Sequence, residues 1–192
     1  MAPGAGIELT AQTVLRNYFH AKDENRPHLL QSVFDPDAEL LMVNHTNAIS
    51  FPARTVGREA IADVLVRDFG RTYENIYSIY LAKPDGSTTA FSCGWLVAMS
   101  EKQSKSARVG CGRYDWSFGA PPQRLATRLT VTIDVMLVMP ADELGTVLSW
   151  VEGLNYPWSS AEEAVLGAPR IALLAPVLLW LTSRGTAGAS AS

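Results

Sequence analysis

The spacing of apolar residues changes along the chain, from the period of a helix to that of a strand and back again. Helical spacing predicts an N-terminal group of helices over residues 10–22, 27–34 and 58–69. Alternation, or a short apolar run, predicts strands over residues 38–43, 73–82, 90–99, 107–118 and 125–139. Helical spacing returns over residues 141–153, 161–166 and 171–180. Because only short loops connect the last four strands, we expect them to form antiparallel hairpins.

The lengths of two hairpin loops predict which residues lie opposite one another in the sheet. Symmetric pairing across residues 101–106 and 119–124 predicts the pairs Trp95–Gly112, Cys93–Tyr114, Tyr114–Leu129 and Trp116–Thr127. Side chains alternate between the two faces of a strand. One face is therefore predicted to be apolar and to consist of Phe91, Cys93, Trp95, Val97, Tyr114, Trp116, Phe118, Leu129, Val131, Ile133 and Val135. The other face is predicted to be polar, with a cross-strand ion pair between Asp115 and Arg128.

Composition and charge limit the classes of function that the chain supports. Of its 192 residues, 47% are hydrophobic and 18% are charged, which predicts one folded domain with a substantial core. The net charge of −3 gives no electrostatic reason to expect nucleic-acid binding. The apolar stretch 171–181 is about half as long as a membrane span and contains Pro176, so no span is expected. Residues 1–8 lack the pattern of a signal peptide, so the cytoplasm is the expected compartment.

No spacing in the sequence is typical of a metal or cofactor site. Cys93 and Cys111 do not form a metal-binding pair and are expected to be reduced thiols. The three histidines lack the spacing of metal ligands, and no glycine-rich phosphate loop is present in the sequence. We therefore expect no cofactor. The charged run 22–26 is expected to be a solvated link between helices.

Three segments and the order of the predicted elements carry a family resemblance. Residues 33–40 (VFDPDAEL), 57–61 (GREAI) and 113–118 (RYDWSF) resemble the nuclear transport factor 2-like superfamily, and within it the SnoaL-like branch. The superfamily includes polyketide cyclases, ketosteroid isomerases and scytalone dehydratases. The resemblance implies an α+β fold over residues 8–140, in which a strongly curved antiparallel sheet wraps around an N-terminal helical layer like a cone. Residues 141–184 are expected to form a C-terminal helical extension that packs on the same domain.

The resemblance also implies candidate site residues. Ketosteroid isomerase uses a tyrosine and a protonated aspartic acid as oxyanion donors, and a second aspartate as the base. Tyr18 falls at the tyrosine position, Tyr114 at that of the protonated acid, and Met42 at that of the base. Both oxyanion-donor positions therefore carry a hydrogen-bond donor, whereas Met42 cannot act as the base because it cannot take a proton. His45, just beyond the first strand, is a candidate for the proton transfer, as is Asp115 if the register shifts by one residue.

The apolar face of the sheet is the expected wall of a pocket. The residues expected to contact a ligand are Met42, Cys93, Trp95, Trp116, Phe118 and Leu129. In a pocket, Trp95 and Trp116 would hold a flat ligand between them, and otherwise they would be ordinary core residues. An aromatic cluster over residues 150–158 would either cover this pocket or form part of a dimer contact.

These observations leave two functions open, and with them the question of whether the protein is an enzyme. In the first, the protein binds a hydrophobic small molecule, and an enzymatic version would isomerise, cyclise or dehydrate a hydrophobic carbonyl compound. In the second, it is a non-enzymatic dimerising or partner-binding domain, and the apolar face is its core. Tyr18 and Tyr114 favour the first function, whereas Met42 favours the second. A homodimer is expected, formed through the polar face that carries Thr130 and Thr132.

Overall fold

One curved, six-stranded sheet organises the computed structural model, which describes residues 9–185. Its strands are β1 (Phe34–Asn44), β2 (Arg54–Val56), β3 (Tyr73–Tyr80), β4 (Ala90–Glu101), β5 (Ala107–Phe118) and β6 (Ala126–Met139). The α-helices are α1 (Ala11–Asp23), α2 (Arg58–Ala62), α3 (Phe69–Thr72), α4 (Leu144–Glu152), α5 (Ala161–Leu166) and α6 (Ala175–Gly185). The strands lie in the order β2-β1-β6-β5-β4-β3, with β1 parallel to β6 and the other neighbouring pairs antiparallel. The predicted α+β fold with a curved, mainly antiparallel sheet is confirmed.

Helix α1 begins and packs as its sequence predicts, whereas the next two helices differ in detail. The side chain of Thr10 accepts a hydrogen bond from the backbone N–H of Thr13 (3.1 Å), which caps α1. The buried face of α1 carries Ala11, Val14, Leu15, Tyr18, Phe19, Ala21 and Lys22. The second predicted helix is a shorter 3-10 helix, Pro27–Ser32, with proline in its first turn. The third continues from α2 through a π-helical stretch, Asp63–Asp68, into α3.

The first part of the sheet contains more strand residues than the sequence predicts. β1 begins at Phe34 rather than at residue 38, and its pairing with β6 is irregular between Phe34 and Glu39. The Asp-Pro-Asp segment 35–37 is therefore part of a strand at a bulge, although its composition is typical of a turn. β2 pairs with β1, where Leu40 lies opposite Thr55. The sequence does not predict β2, because three residues are too few for alternation to appear.

The pairing of β4 with β5 confirms the predicted register, whereas β5 and β6 pair two residues away from it. Cys93 lies opposite Tyr114, as predicted, but Tyr114 lies opposite Val131 instead of Leu129. The loop between β5 and β6 is one residue longer than expected, and Thr127 adds another residue as a bulge. Because the total shift is even, these side chains keep their predicted faces.

A second irregularity reverses the faces in the C-terminal half of β6. Gly112 pairs with Ile133 and Cys111 pairs with Val135, so β6 has one extra residue, Asp134, between these two partners. The prediction that Val135 belongs to the inner face is therefore wrong, because Val135 packs in the outer cluster. Met136 takes its place in the inner core.

The predicted ion pair between Asp115 and Arg128 is wrong, because the shift in register separates them. Asp115 instead accepts a hydrogen bond from Arg113 on its own strand (Nε to Oδ2, 3.0 Å). Arg128 binds one carboxylate oxygen of Glu39 on β1, and Arg54 of β2 binds the other. The hydrogen bond from Arg54, together with that from Arg128, holds the pKa of Glu39 below its usual range. Paired charges thus connect the exposed surfaces of β2, β1 and β6.

Helices cover both faces of the sheet, which gives the molecule three layers. α1 and the helix of residues 58–72 cover the inner face, where Tyr18 meets Trp116 edge to face with ring centres 5.1 Å apart. The helices α4, α5 and α6 pack on the outer side of β3, β4 and β5. The buried residues of this outer cluster are Ile79, Leu96, Ala98, Ala107, Val109, Cys111, Met139, Val147, Trp150, Val151, Ala164, Leu174, Val177 and Leu181. The outer face is therefore polar only in part.

Specific hydrogen bonds hold the C-terminal region to the rest of the fold. Trp150 donates a hydrogen bond from Nε1 to the carbonyl of Ala164 (2.9 Å). The backbone N–H of Tyr80, at the end of β3, donates to the carbonyl of Pro157 (2.8 Å), and Ser159 donates back to the Tyr80 carbonyl (2.9 Å). A short C-terminal segment thus extends the sheet beyond β3 at this point. None of the helices in residues 9–185 combines the length and hydrophobicity of a membrane span.

We predict that Gly112→Ala strongly destabilises the fold, because β5 and β6 approach too closely there for a side chain. A Cβ atom on Gly112 would lie 1.9 Å from the carbonyl oxygen of Thr132 and 2.9 Å from Cζ2 of Trp95. The expected loss is about 2–4 kcal/mol in the free energy of unfolding, measured by urea denaturation. Gly145→Ala is the control, because nothing lies within 4 Å of its Cβ, and it should not lower stability. Equal stabilities of the two variants would contradict the close approach.

Candidate ligand-binding site

A cavity of about 50 Å³ lies between α1 and the inner face of the sheet. α1 contributes Tyr18 and Lys22 to its walls, and the loop between β1 and β2 contributes Ile49 and Phe51. The remaining wall residues come from the sheet and from the helix of residues 58–72, and they are Met42, Leu65, Phe69, Trp95, Val97, Met99, Tyr114, Val131, Ile133 and Met136. The walls are almost entirely apolar, and Lys22 is the one charged residue among them.

The size of this cavity limits what it holds without rearrangement. A water molecule needs roughly 10–15 Å³ of such space, and an engineered cavity of about 150 Å³ holds benzene. The cavity therefore has room for a molecule of about two to four non-hydrogen atoms, and a polycyclic ligand requires the walls to move. Met42, Met99 and Met136 are the wall residues best able to adapt, because the methionine side chain is long and unbranched.

Hydrogen bonds to its backbone position the loop between β1 and β2 over one side of the cavity. The side chain of Asn44 donates to the carbonyl of Ile49 (2.6 Å), and the guanidinium group of Arg108 donates to that of Ala48 (2.9 Å). These contacts place the side chain of Ile49 in the cavity wall. Phe51 stacks on Phe69 with ring centres 6.3 Å apart, which completes this side.

Eight of the ten predicted site residues are buried on the inner face, but only half of these eight line the cavity. Those in its walls are Tyr18, Met42, Trp95 and Tyr114. Those packed in the core beside it are Cys93, Trp116, Phe118 and Leu129. Trp116 and Phe118 stack with parallel rings 6.1 Å apart, so side chains fill this end of the inner face. Contact between the second group and a ligand stays a prediction.

His45 and Asp115, the other two predicted residues, lie away from the cavity walls. The imidazole Nδ1 of His45 is 2.9 Å from a carboxylate oxygen of Asp134, and 58% of the His45 side chain is exposed. Asp115 lies between two inward-facing residues of β5 and faces outward, where it accepts hydrogen bonds from Ser92 (2.5 Å) and Arg113. The one-residue shift that would turn Asp115 inward does not occur. Proton transfer by these two residues stays a prediction that the geometry of the cavity does not support.

Tyr18, Tyr114 and Trp95 bring three neutral polar groups to the cavity walls, and because the single O–H of Tyr114 donates to Tyr18, the donors left for a ligand are those of Tyr18 and Trp95. The two tyrosine rings meet edge to face with centres 6.0 Å apart. Burial raises the pKa of both phenols, and Asp23 raises that of Tyr18 further, whereas a hydrogen bond from Tyr114 opposes this shift. Both hydroxyl groups are therefore protonated at neutral pH. The indole N–H of Trp95 is buried and has no hydrogen-bond acceptor in the described part of the chain.

Two charged residues that the sequence predicts to be solvated form a buried polar cluster at the end of α1. The ammonium group of Lys22 lies 2.5 Å from Oδ1 of Asp23 and 2.9 Å from Oγ of Ser78. Asp23 also accepts hydrogen bonds from the backbone N–H (3.1 Å) and the hydroxyl (3.0 Å) of Ser78. Only 7% of each charged side chain is exposed. The prediction that the run 22–26 is solvated is therefore wrong for its first two residues.

The position of Lys22 on α1 is a signal that could have found this cluster. Ala11, Leu15, Tyr18 and Lys22 are separated by four, three and four residues, which is the spacing of the buried face. A lysine on such a face needs a partner inside the protein, because its charge is rarely buried alone. Its Nζ also lies 5.2 Å from the ring centre of Phe69, within the range of a cation–π contact.

Lys22 and Asp23 connect the cavity to a second concave surface. Lys22 lines the cavity, whereas Asp23 lines a groove of about 400 Å³ together with Tyr77 and Tyr156. Burial raises the pKa of Asp23, while the positive charge of Lys22 and hydrogen bonds from Lys22 and Ser78 oppose that shift. The carboxyl group of Asp23 therefore takes up a proton more readily than the carboxyl group of a solvent-exposed aspartate does.

The two cysteines give no sign of reactivity or of metal binding. Burial raises the pKa of the thiols of Cys93 and Cys111 far above the usual range, so both stay protonated. Across residues 9–185, no three side chains of His, Cys, Asp or Glu come together as candidate metal ligands.

Comparison with known proteins identifies the fold through structure rather than sequence. No family model and no curated protein matches the chain. LinA type 2, a hexachlorocyclohexane dehydrochlorinase, is 13% identical with a TM-score of 0.52, over 68% of this chain and 86% of LinA. A protein with a ketosteroid isomerase-like fold from Catenulispora acidiphila, in complex with trimethylamine, is 15% identical with a TM-score of 0.52, over 67% of this chain and 95% of its own. The chain has the NTF2-like fold.

A third structure extends this result. An NTF2-like superfamily protein from Salmonella enterica serovar Typhimurium is 15% identical with a TM-score of 0.51, over 65% of this chain and 88% of its own. The predicted relation to the nuclear transport factor 2-like superfamily is confirmed at the level of the fold, and the SnoaL-like branch stays a prediction. Because one fold carries many functions, these NTF2-like structures do not identify the ligand of this chain.

We predict that Lys22→Met lowers the free energy of unfolding by about 3–5 kcal/mol at pH 7, because it leaves the buried Asp23 carboxylate without its counter-charge. In this variant the folded-state pKa of Asp23 lies above its ordinary value of 3.8, because burial is no longer opposed by Lys22. The loss of stability is then complete at pH values above the pKa of Asp23 in the folded state. It disappears at pH values below the pKa of Asp23 in the unfolded state. Urea denaturation should therefore show the difference from the unmodified protein shrinking as the pH falls.

The double variant Lys22→Met, Asp23→Asn is the matched control for this prediction. It removes both charges, so it should be more stable at pH 7 than Lys22→Met alone. A single variant as stable as the unmodified protein would show that the pair is not buried as described.

Proposed function

We propose that the protein binds a small, mainly apolar carbonyl compound in the cavity between α1 and the sheet. The observation that carries this proposal is the buried indole N–H of Trp95: the indoles of Trp95, Trp116 and Trp158 all lack an acceptor within residues 9–185, and of these three residues only Trp95 lines the cavity. A buried donor without a partner costs about 1–3 kcal/mol. A ligand that brings a carbonyl oxygen offers the missing acceptor, and the hydroxyl group of Tyr18, which itself accepts a hydrogen bond from Tyr114, is a further donor in the same walls.

The composition of the walls supports a compact ligand with a single polar group. Every wall residue other than Tyr18, Tyr114, Trp95 and Lys22 is an aliphatic residue, methionine or phenylalanine. Apolar walls favour the hydrocarbon part of the ligand, and the few polar groups fix its orientation. The volume favours short-chain aldehydes and ketones over the larger hydrophobic compounds expected from the sequence.

The two tyrosines also support a chemical role for the site. A carbonyl oxygen gains negative charge when the compound enolises, and donors already in place stabilise that charge. Because Tyr18 stays protonated, its hydroxyl remains a donor through such a step, and the hydrogen bond from Tyr114 supports it. LinA type 2, with the same fold, is a dehydrochlorinase, so elimination chemistry occurs in an NTF2-like protein. We therefore propose isomerisation or dehydration through an enol as the enzymatic form of this function, with the buried pair Lys22–Asp23 as the base that takes the α-proton.

Dimerisation and a cytoplasmic location stay predictions beside this function. The helices α4 to α6 cover the outer side of β3 to β5, so a second copy of the chain has less of the outer face available than the sequence suggests. The part that remains exposed carries the paired charges of Glu39, Arg54 and Arg128.

The proposal predicts a change in the indole NMR signal of Trp95 when acetone binds. The five tryptophans give five indole signals, and Trp95→Phe identifies the relevant one. Acetone should shift the Trp95 signal more than isobutene, which has nearly the same shape but no carbonyl oxygen. Trp150 and Trp180 already donate to protein acceptors, so their signals are internal controls. Tyr18→Phe should weaken acetone binding about 2- to 10-fold, the usual effect of losing one hydrogen bond.

Two outcomes would contradict the proposal. One is a Trp95 signal that does not move with acetone at any concentration the protein tolerates. The other is an equal response to acetone and isobutene, because the cavity would then recognise shape without recognising a carbonyl group.

A further inference from the structure

Lys22 differs from every other lysine of the chain in its surroundings. The sequence contains four lysines, and Lys83, Lys102 and Lys105 are exposed, whereas Lys22 is 6% exposed. Lys22 lines the cavity that is proposed to hold a carbonyl compound. Lysine ammonium has three N–H donors, and Asp23 and Ser78, neither of which lines the cavity, take two of them. A nitrogen nucleophile is thus available in the one place where a carbonyl carbon would be held.

We propose that Lys22 forms an imine with the aldehyde or ketone bound in this cavity, an inference that rests on the proposed function. The amino nitrogen forms a bond to the carbonyl carbon while the C=O π bond opens, and one N–H proton passes from the nitrogen to the oxygen to give a carbinolamine. The C–O bond then breaks, and the oxygen leaves as water after receiving a second proton. The product is a protonated C=N bond to Lys22, and addition of water reverses the reaction.

Asp23 is placed to move the protons that these steps require. Before attack, the ammonium group of Lys22 has to lose a proton, and the carboxylate of Asp23 lies 2.5 Å away. Burial raises the pKa of Asp23, which makes its carboxylate a stronger base toward this proton. Asp23 then returns this proton to the departing oxygen. At the end its carboxylate again faces a positive charge, that of the protonated imine.

Ser78 and Tyr18 complete this arrangement. Both the hydroxyl and the backbone N–H of Ser78 donate to Asp23, so the carboxylate is held beside Lys22 from a neighbouring strand. Tyr18 precedes Lys22 by four residues on α1, so the two side chains leave the helix on the same face and both line the cavity. The Tyr18 hydroxyl is therefore the nearest helix donor for the oxygen of the carbinolamine. Ser78 acts as a positioning residue, since it does not line the cavity.

Reductive trapping tests this proposal on the intact chain. The protein is incubated with acetone and sodium cyanoborohydride, which reduces an imine to a stable isopropylamine, and the modified lysines are identified by peptide mass spectrometry. Lys22 should be modified at least about tenfold faster than Lys83, Lys102 or Lys105, because a bound carbonyl is held at high local concentration. Isobutene, which lacks a carbonyl group, should protect Lys22 by competing for the cavity.

Two variants separate the chemistry of Lys22 from its structural role. Lys22→Arg keeps the positive charge beside Asp23 but has no primary amine, so only slow modification of the three exposed lysines should remain. Asp23→Asn should slow the trapping of Lys22 while acetone still shifts the Trp95 indole signal. An unchanged trapping rate in Asp23→Asn would contradict its part in proton transfer.

The results also distinguish failure of this proposal from failure of the binding function. If acetone shifts the Trp95 signal but Lys22 reacts no faster than the exposed lysines, the imine is wrong and carbonyl binding stands. If acetone neither shifts that signal nor labels Lys22, both proposals are wrong. Modification of Lys22 that isobutene does not reduce would place the reaction outside the cavity and overturn the imine as proposed.

Discussion

The close approach of β5 and β6 at Gly112 is the constraint on which both faces of the sheet depend. A side chain at that position would meet the backbone of β6, so the strands come together only because residue 112 has none. Beside it, the extra residue Asp134 changes the faces of the residues that follow. Met136 thereby joins the cavity wall, and Val135 joins the cluster beneath the C-terminal helices. One local irregularity therefore decides what the cavity contains and what the outer helices pack against.

The alternation of side chains made most of the inner face predictable, even where the pairing itself was not. The β5–β6 register differs from the prediction by two residues, yet an even shift leaves each side chain on its face. Alternation fails only where a bulge changes the count, as it does at Val135. The short strand β2 and the strand conformation of the Asp-Pro-Asp segment were beyond such reasoning, because local composition favours loops there and pairing with β1 or β6 overrides it.

The candidate site was predictable only in part, because a cavity depends on how separate elements pack. Tyr18, Tyr114, Met42 and Trp95 were found from the family resemblance and the face of the sheet. The cavity also needs Ile49 and Phe51 from a loop and Phe69 from a helix, and no spacing relates these residues to the strands. Lys22 was missed for a different reason: it belongs both to a charged run and to the buried stripe of α1. Its burial follows from the second pattern, because the stripe determines which way the side chain points.

The segment 157–159, which pairs with the end of β3, affects whether separate copies of the molecule associate through the edges of their sheets. Exposed strand edges have unpaired N–H and carbonyl groups, which allow sheets of separate molecules to join and aggregate. At one edge of this sheet β2 is only three residues long, and at the other the backbone around Pro157 and Ser159 occupies both hydrogen-bonding groups of Tyr80. The C-terminal region thus limits edge-to-edge aggregation as well as burying apolar surface. Loss of that region would leave β3 open to strands from other chains.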